Sequence, residues 1–372
     1  MRKGVVLLMT LLALGAILVA GCAPQTPTTP TSPTTPTTPT TPTTPTTPSQ
    51  PADKVIKWQY QGHPPVSDYY HQAVVRIAEQ ITLMSNGRLV VEPYAGGSIV
   101  PASEEFEGVN QGILNMGSAC PMYALGKFPQ AALFDAVSGG MTSMQMTLWH
   151  TRGNGDALAA KMWEKNTNVK FVGTAGQLPA EIWAQSNKKI ETPNDLKGFK
   201  MRCSGDGGEI LASMGVATVF FPGGEIYESM QRGVIDAFEY ASPFLNWGMG
   251  FHEVAKYLYQ SPSRAPTDNA HVWVNRDDWE ALTPDLQAIV MNACSAVGID
   301  YTAESFTKDD VALVQYLDYG TEILPVPAAV EAAYLDAAMA FYAKKAASDP
   351  LYKEIVDDHW AFKAMMDRAG IK

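Results

Sequence analysis

From Thr283 to Gly320 the chain reads TPDLQAIVMNACSAVGIDYTAESFTKDDVALVQYLDYG. A hydroxyl residue followed by proline is a helix-start signal, because the hydroxyl accepts an orphan backbone N–H and proline is pre-set for the first helical position. Gly320 supplies the stop. Nothing between them breaks the helical pattern, which predicts a helix of about ten turns, longer than most helices of globular proteins. Upstream, helix and strand patterns alternate, which indicates an α/β architecture. A helix this long in an α/β chain is expected to span two lobes.

Working outward, strands are predicted over 55–60, 89–93, 115–119, 169–174, 182–186, 200–203, 236–240 and 270–275. The segment 68–85 reads as a helix, with Ala73, Ile77, Ile81 and Met84 on one face and a stop at Gly87. Shorter helices are expected over 103–111, 155–165 and 225–232, and Thr192-Pro193 repeats the start signal. Two amphipathic helices, 328–347 and 351–369, close the chain.

The N-terminus sets the compartment. Arg2 and Lys3 precede an uncharged apolar run, Val5 to Ala20, that ends Val19-Ala20-Gly21-Cys22. Such a run is long for a signal h-region and short for a spanning helix with flanking anchors. Small residues before a cysteine suit a lipoprotein signal peptidase, so 1–22 is read as a lipoprotein signal peptide and Cys22 as the lipidation site. Residues 23–52, rich in Thr and Pro and free of large apolar side chains, cannot bury enough surface to offset ordering and read as a disordered linker.

The rest is ample for two domains, and 46% hydrophobic residues indicate a packed globule. The whole chain carries a formal charge of −11, and setting the leader aside leaves 25 basic against 38 acidic side chains, a net of −13. That excess argues against nucleic acid as a partner. An anionic ligand would need a local positive site. Cys120, Cys203 and Cys294 have no metal-type spacing; either one disulfide or three buried thiols fits them.

Four stretches add up to a resemblance. They are Gly87-Arg88-Leu89 through Tyr94-Ala95-Gly96-Gly97-Ser98-Ile99-Val100-Pro101; Phe106-Glu107-Gly108-Val109-Asn110-Gln111-Gly112 with Asn115-Met116-Gly117; Asp195-Leu196-Lys197-Gly198-Phe199-Lys200-Met201-Arg202; and Gln231-Arg232-Gly233-Val234-Ile235-Asp236-Ala237. In this order, behind a lipoprotein signal, they resemble the DctP-like solute-binding proteins of TRAP (tripartite ATP-independent periplasmic) transporters. Glu239-Tyr240-Ala241-Ser242-Pro243 and the stretch Gly250 to Tyr257 look most like the branch that binds 2-oxo acids and related carboxylates. The resemblance implies a two-lobed periplasmic-binding-protein-like fold with crossover strands and a long helix across both lobes. The expected division is 53–176 with 262–300 as lobe I, and 177–261 with 301–372 as lobe II and C-terminal helices.

The resemblance also implies a function: an extracytoplasmic, lipid-anchored receptor that binds a small carboxylate, a 2-oxo or 2-hydroxy acid, and delivers it to the small and large TRAP membrane subunits. Arg202 ends a predicted strand before a Gly-rich turn, so its fork of donors can reach a cleft and match a carboxylate. The family's carboxylate-binding arginine stands at this place. In the 2-oxo-acid branch Na⁺ or Ca²⁺ bridges the ligand, held by the equivalent of Glu239, by the next residue's carbonyl (Tyr240) and by a glutamine three residues after the arginine. Here that place is Gly205, so two options stand: Asp206 beside it is a substitute oxygen for Na⁺ or Ca²⁺, or no metal is required and Glu239 accepts from a ligand hydroxyl or amine. Tyr123, Gln177 and Trp183 are further pocket candidates, each equally readable as core. Some relatives dimerise through C-terminal helices, and the segments after Ala328 leave room for a homodimer.

Two alternatives stand beside this reading. One is a ligand-sensing lipoprotein receptor not coupled to TRAP. The other is an extracellular hydrolase, for which the acidic pairs Glu104-Glu105 and Asp357-Asp358 look solvated and no Gly-x-Ser-x-Gly or His-Glu-x-x-His motif exists. Gly205-Asp206-Gly207-Gly208 lacks the lysine and serine of a phosphate loop. No enzymatic activity is expected.

Overall fold

A computed structural model describes residues 54–261 and 263–372. The leader, Cys22 and the Thr/Pro-rich linker lie outside the described residues. Among the described residues eleven strands, numbered in chain order, form two sheets. They are β1 (Ile56–Gly62), β2 (Leu89–Tyr94), β3 (Met116–Ala119), β4 (Val169–Leu178), β5 (Ala184–Ser186), β6 (Lys200–Arg202), β7 (Ala217–Val219), β8 (Ala237–Phe238), β9 (Tyr257–Gln260), β10 (Asp268–Asn275) and β11 (Glu322–Pro325).

The first sheet runs β2-β1-β3-β10-β4 and the second β11-β9-β5-β8-β6-β7. In the first, β1 pairs parallel with β2 and β3, whereas β10 is antiparallel to β3 and β4. The chain leaves the first sheet after β4, returns to it between β9 and β10, and leaves again along the long helix. These crossings place the ends of β4 and β6 and the starts of β5 and β10 near one another, and the site described below is built there.

The long helix runs Pro284–Tyr319, with Gly320 left-handed at its end. Its Val290, Cys294, Val297 and Tyr301 join a core with Trp58, Tyr60, Ile77 and Phe238. Further along, Tyr316 packs with Ile182 and Leu258 on the second sheet. One helix thus contributes to packing on both sheets. Contact with β4 is close: a Cβ on Gly176 (φ +111°) would lie 2.6 Å from the Gly298 carbonyl oxygen, so only glycine admits the helix backbone there. A second core joins Trp149, Trp163, Trp183, Met201, Trp273 and Tyr334. Both cores take residues from both sheets.

The C-terminal helices Ala328–Ser348 and Pro350–Arg368 are pinned by buried tyrosines. The Tyr342 hydroxyl accepts from the Ser138 backbone N–H at 2.8 Å, and Tyr334 shares a 2.7 Å hydrogen bond with the Ser138 hydroxyl.

Several expectations need correction. Helix Ser143–Arg152 went unread because its hydrophobic periodicity is weak; a capping box of Thr142 and Gln145 defines its start instead. Strands β7, β9 and β11, three or four residues each, were too short to show a period-2 pattern. All three cysteines are buried and free, which removes the disulfide alternative. Glu105 is not solvated: it is buried and accepts from Gln61 Nε2 at 2.9 Å and from the Ser103 backbone N–H at 2.9 Å.

Candidate ligand site at the junction of the two sheets

Arg202 is the last residue of β6 and is 1% exposed. A strand end next to a crossing can aim a long side chain into the junction while neighbouring backbone carbonyls satisfy its donors. Its Nε donates to the Phe221 carbonyl at 3.1 Å, and its Nη1 to the Glu239 carbonyl at 2.7 Å and to Glu239 Oε1 at 3.2 Å. The rings of Phe220 and Tyr240 flank the guanidinium at 5.4 and 5.5 Å. Nη2 donates to none of the described residues.

Glu239 directly follows β8, and its carboxylate is surrounded by donors. Oε1 accepts from the Ser204 backbone N–H at 2.5 Å and from the Ser204 hydroxyl at 2.9 Å, besides Arg202. Oε2 faces Arg264 Nη1 at 3.2 Å without an aligned hydrogen bond. Arg264 lies on the β9–β10 crossing and is held by the β4–β5 crossing: its Nη2 donates to the Glu181 carboxylate, and its Nε and Nη2 donate to the Ile182 carbonyl at 3.2 and 2.9 Å. The charges therefore alternate Glu181, Arg264, Glu239, Arg202. Burial opposes the charge on Arg264, but Glu181 and Glu239 outweigh it and hold its proton more tightly than usual. Burial pushes the Glu181 carboxyl well above the usual carboxylate range, with Arg264 pulling the other way.

Opposite stands a wall with no cation in it. The Asp268 carboxylate accepts from the Tyr70 hydroxyl and, weakly, from the Cys120 thiol at 3.7 Å. Burial raises both Asp268 and its neighbour Asp135, whose carboxyl groups lie close together. Asp68 accepts from the Tyr240 hydroxyl at 2.5 Å; burial lifts its pKa to about 6, the Tyr240 bond opposing.

Two small voids lie between these walls. One is lined by His63, Tyr70, Cys120, Tyr123, Arg202, Tyr240 and Asp268, the other by Ala132, Asp206, Gly207, Glu239 and Arg264; Met122, Glu181 and Ser204 line both. Each measures about 10 Å³, room for about one water. A larger, open recess of about 690 Å³ around Tyr227, His252, Lys256 and Tyr319 shares no residue with them.

Of the predicted site residues, Arg202, Glu239, Tyr240, Tyr123 and Asp206 line the two voids; Gln177 and Trp183 do not. Gln177 is buried in β4, where its Oε1 accepts from Asn269 at 3.2 Å. Trp183 is a fully buried core residue facing Tyr334. Asp206, in the first turn of helix Gly205–Ser213, lines the second void but commits Oδ2 to the Tyr352 hydroxyl at 2.9 Å, and burial lifts its pKa to about 7.

Of the expected metal ligands Glu239, Tyr240 and Asp206, Glu239 and Asp206 line the same void, where Asp206 Oδ1 is buried without a partner among the described residues. Both Glu239 oxygens face donors, and Gly205 offers no side-chain oxygen. The acidic and thiol groups that do converge, Cys120, Asp135 and Asp268, are a different set. Sequence reasoning missed Glu181, Ser204, Arg264, Asp68 and Asp268. Ser204 could have been found from its place between Arg202 and the Gly-rich turn. The others carry no local motif.

Two lobes bridged by a long helix, with a guanidinium aimed into a narrow cleft, define an α/β solute receptor. The comparisons agree. The family model for bacterial extracellular solute-binding proteins, family 7 (DctP), matches residues 62–349. The chain belongs to this family. It is 28% identical over 308 residues to a monocarboxylate 2-oxoacid-binding periplasmic protein of Nostoc sp., covering 83% of this chain and 84% of that one. A TRAP periplasmic solute-binding protein of Colwellia psychrerythraea, solved with bound calcium and pyruvate, superposes with a TM-score of 0.81 at 28% identity, over 85% of this chain and 96% of that one. One from Pseudoalteromonas atlantica, with bound sodium and pyruvate, gives 0.81 at 27% identity, over 85% and 96%.

Proposed function

We propose that the protein captures a small monocarboxylate, a 2-oxo or 2-hydroxy acid, between its two lobes and presents it to the membrane subunits of a TRAP transporter. The observation that carries this is Arg202 Nη2. Every other nitrogen of that buried guanidinium has a protein acceptor, and Arg202 lines a void together with Tyr123. A guanidinium with one nitrogen left over beside a small enclosed space suits a carboxylate oxygen. The Tyr123 hydroxyl makes no hydrogen bond to the described residues and is the second donor. The Nostoc relative's 2-oxo acids and the pyruvate in two structural relatives support the same class.

The voids are far smaller than a ligand, so the lobes must part to admit one. The moving bodies are the two lobes as divided above, hinged at the two strand crossings and the long helix, except that helix Pro350–Arg368, which bonds Met141, Gln145 and Trp149, goes with the first lobe. The Asp68–Tyr240 hydrogen bond and the Tyr123–Phe220 edge-to-face contact at 5.3 Å join the two sides and would break on opening.

A thiol hydrolase is disfavoured. Cys120 Sγ lies 3.6 Å from His63 Nε2 and 3.7 Å from Asp268, an arrangement that looks like a nucleophile and its base. Burial, however, pushes the thiol well up and the imidazole down to about 3, so neither thiolate nor basic imidazole is available. The leader places the receptor outside the cytoplasm, tethered through lipid on Cys22, with the linker as spacer. Pyruvate and other 2-oxo and 2-hydroxy acids should raise the melting temperature of the wild type and not of Arg202→Ala. If neutral sugars or amines stabilise it instead, the carboxylate reading is wrong.

A further inference from the structure

We infer that Arg264 is a built-in counter-cation of the site: its guanidinium takes the place beside Glu239 that a bound metal ion would otherwise need, so this receptor closes on its carboxylate without a metal. The inference rests on the proposed carboxylate function and adds to it what balances the charge.

Several observations point the same way. Arg264 is 3% exposed, and its Nε and Nη2 are committed to the Ile182 carbonyl and the Glu181 carboxylate, so Nη1 is delivered to Glu239 Oε2 from a fixed frame. The other carboxylate oxygen already accepts from Ser204 twice and from Arg202. A cation binding Glu239 would have to expel a guanidinium that has no other carboxylate within reach except Glu181. Like charges held this close repel strongly where water is excluded.

The neighbouring positions match that arrangement. Gly205 sits at φ +61°, and a Cβ there would meet the Met122 side chain at 3.3 Å. A residue with a chelating side chain would be strained at this position, and glycine gives up the oxygen. Asp206 turns one oxygen to Tyr352. The backbone around Arg264 is itself fixed, since its carbonyl accepts from the Ser138 hydroxyl at 2.9 Å.

A resident guanidinium also answers the charge problem that a metal solves elsewhere. Arg202 and Arg264 place two permanent positive charges at the junction, against Glu239 and a Glu181 whose charge burial disfavours. An incoming carboxylate supplies the balancing negative charge.

The test uses the full chain stripped with chelator and two calorimetric titrations, Ca²⁺ alone and pyruvate in buffers with chelator, Ca²⁺ or Na⁺. If pyruvate gives no heat, the other 2-oxo and 2-hydroxy acids follow. The wild type should take up no equivalent of Ca²⁺, and its carboxylate affinity should agree in all three buffers to within about threefold. Arg264→Gln should lose at least about tenfold in chelator and recover when Ca²⁺ is restored. Arg264→Lys, which keeps the charge, should stay indifferent to the ion and serves as the second variant if Arg264→Gln fails to fold. One equivalent of Ca²⁺ bound by the wild type, or a tightening of about tenfold or more by either ion, overturns the inference. If no carboxylate binds in any buffer, the carboxylate reading falls. The Ca²⁺ titration then still decides, since uptake by Arg264→Gln and not by the wild type upholds the role of Arg264.

Discussion

Glu239 and Asp135 are both buried carboxyl groups near the same junction, and they are held in opposite ways. Glu239 sits between two guanidinium groups and a serine that gives it two donors. Asp135 has no cation beside it and faces another acid, Asp268. The first wall pairs its carboxylate with cations and donors. The second stays neutral because burial makes a proton cheaper than a charge. On the proposed reading, a carboxylate admitted when the lobes part would meet N–H donors on the paired wall and a neutral wall that does not repel it.

The largest expected effect breaks the paired wall. Glu239→Ala leaves Arg202 and Arg264 without their shared carboxylate and should cost about 3–5 kcal/mol of folding stability. Asp135→Asn, which mimics the protonated acid, should stay within about 1 kcal/mol of wild type. Urea unfolding of both variants measures the contrast, and equal losses would mean that the two walls do not differ.

Next comes the anchor. Arg202→Ala should weaken carboxylate binding by about 2–5 kcal/mol, as for removal of one member of a desolvated charge pair. Calorimetry against the acid that most stabilises the wild type reads this, and near wild-type affinity would remove Arg202 from the site.

The sequence led to these two residues by different routes. Arg202 was legible because it closes a Lys-x-Arg strand before a Gly-rich turn, and Glu239 because it ends a readable strand in the Glu-Tyr stretch that carries the resemblance. Arg264 and Glu181 were not, because they pair across 83 residues of chain from two loops with no motif. Trp183 misled for a physical reason: a buried aromatic beside a crossing has the same local pattern whether it walls a pocket or fills a core. The long helix and most strands were readable, since their periodicity is local. The short strands β7, β9 and β11 depend on partners that only the fold supplies.

Acids raised by burial set the pH dependence. Asp206 moves from an ordinary 3.8 to about 7 and Asp68 to about 6, burial being the larger cause in each. Between the unfolded and folded values the native state binds more protons than the unfolded chain, so stability falls as pH rises. Their contribution is complete near pH 4 and lost by about pH 7. The melting temperature should therefore be higher at pH 5 than at pH 7.5. Asp206→Asn should flatten that slope and gain on the order of 4 kcal/mol at pH 7.5, given about 1.4 kcal/mol per pKa unit. A variant with the wild-type slope would show that Asp206 ionises as an exposed acid does.

The smallest expected effect tests what faces the ligand. Tyr123 packs edge-on to His63 at 5.1 Å and to Phe220 at 5.3 Å, so its ring is held by both sides of the junction. Its hydroxyl contributes nothing to either packing contact. Tyr123→Phe should leave the melting temperature of the ligand-free protein unchanged, because no hydrogen bond to the described residues is lost. Carboxylate affinity should fall by about 0.5–1.5 kcal/mol, the net worth of one neutral hydrogen bond. A loss of stability without a loss of affinity would make Tyr123 a packing residue and leave Arg202 Nη2 as the sole donor at that end of the site.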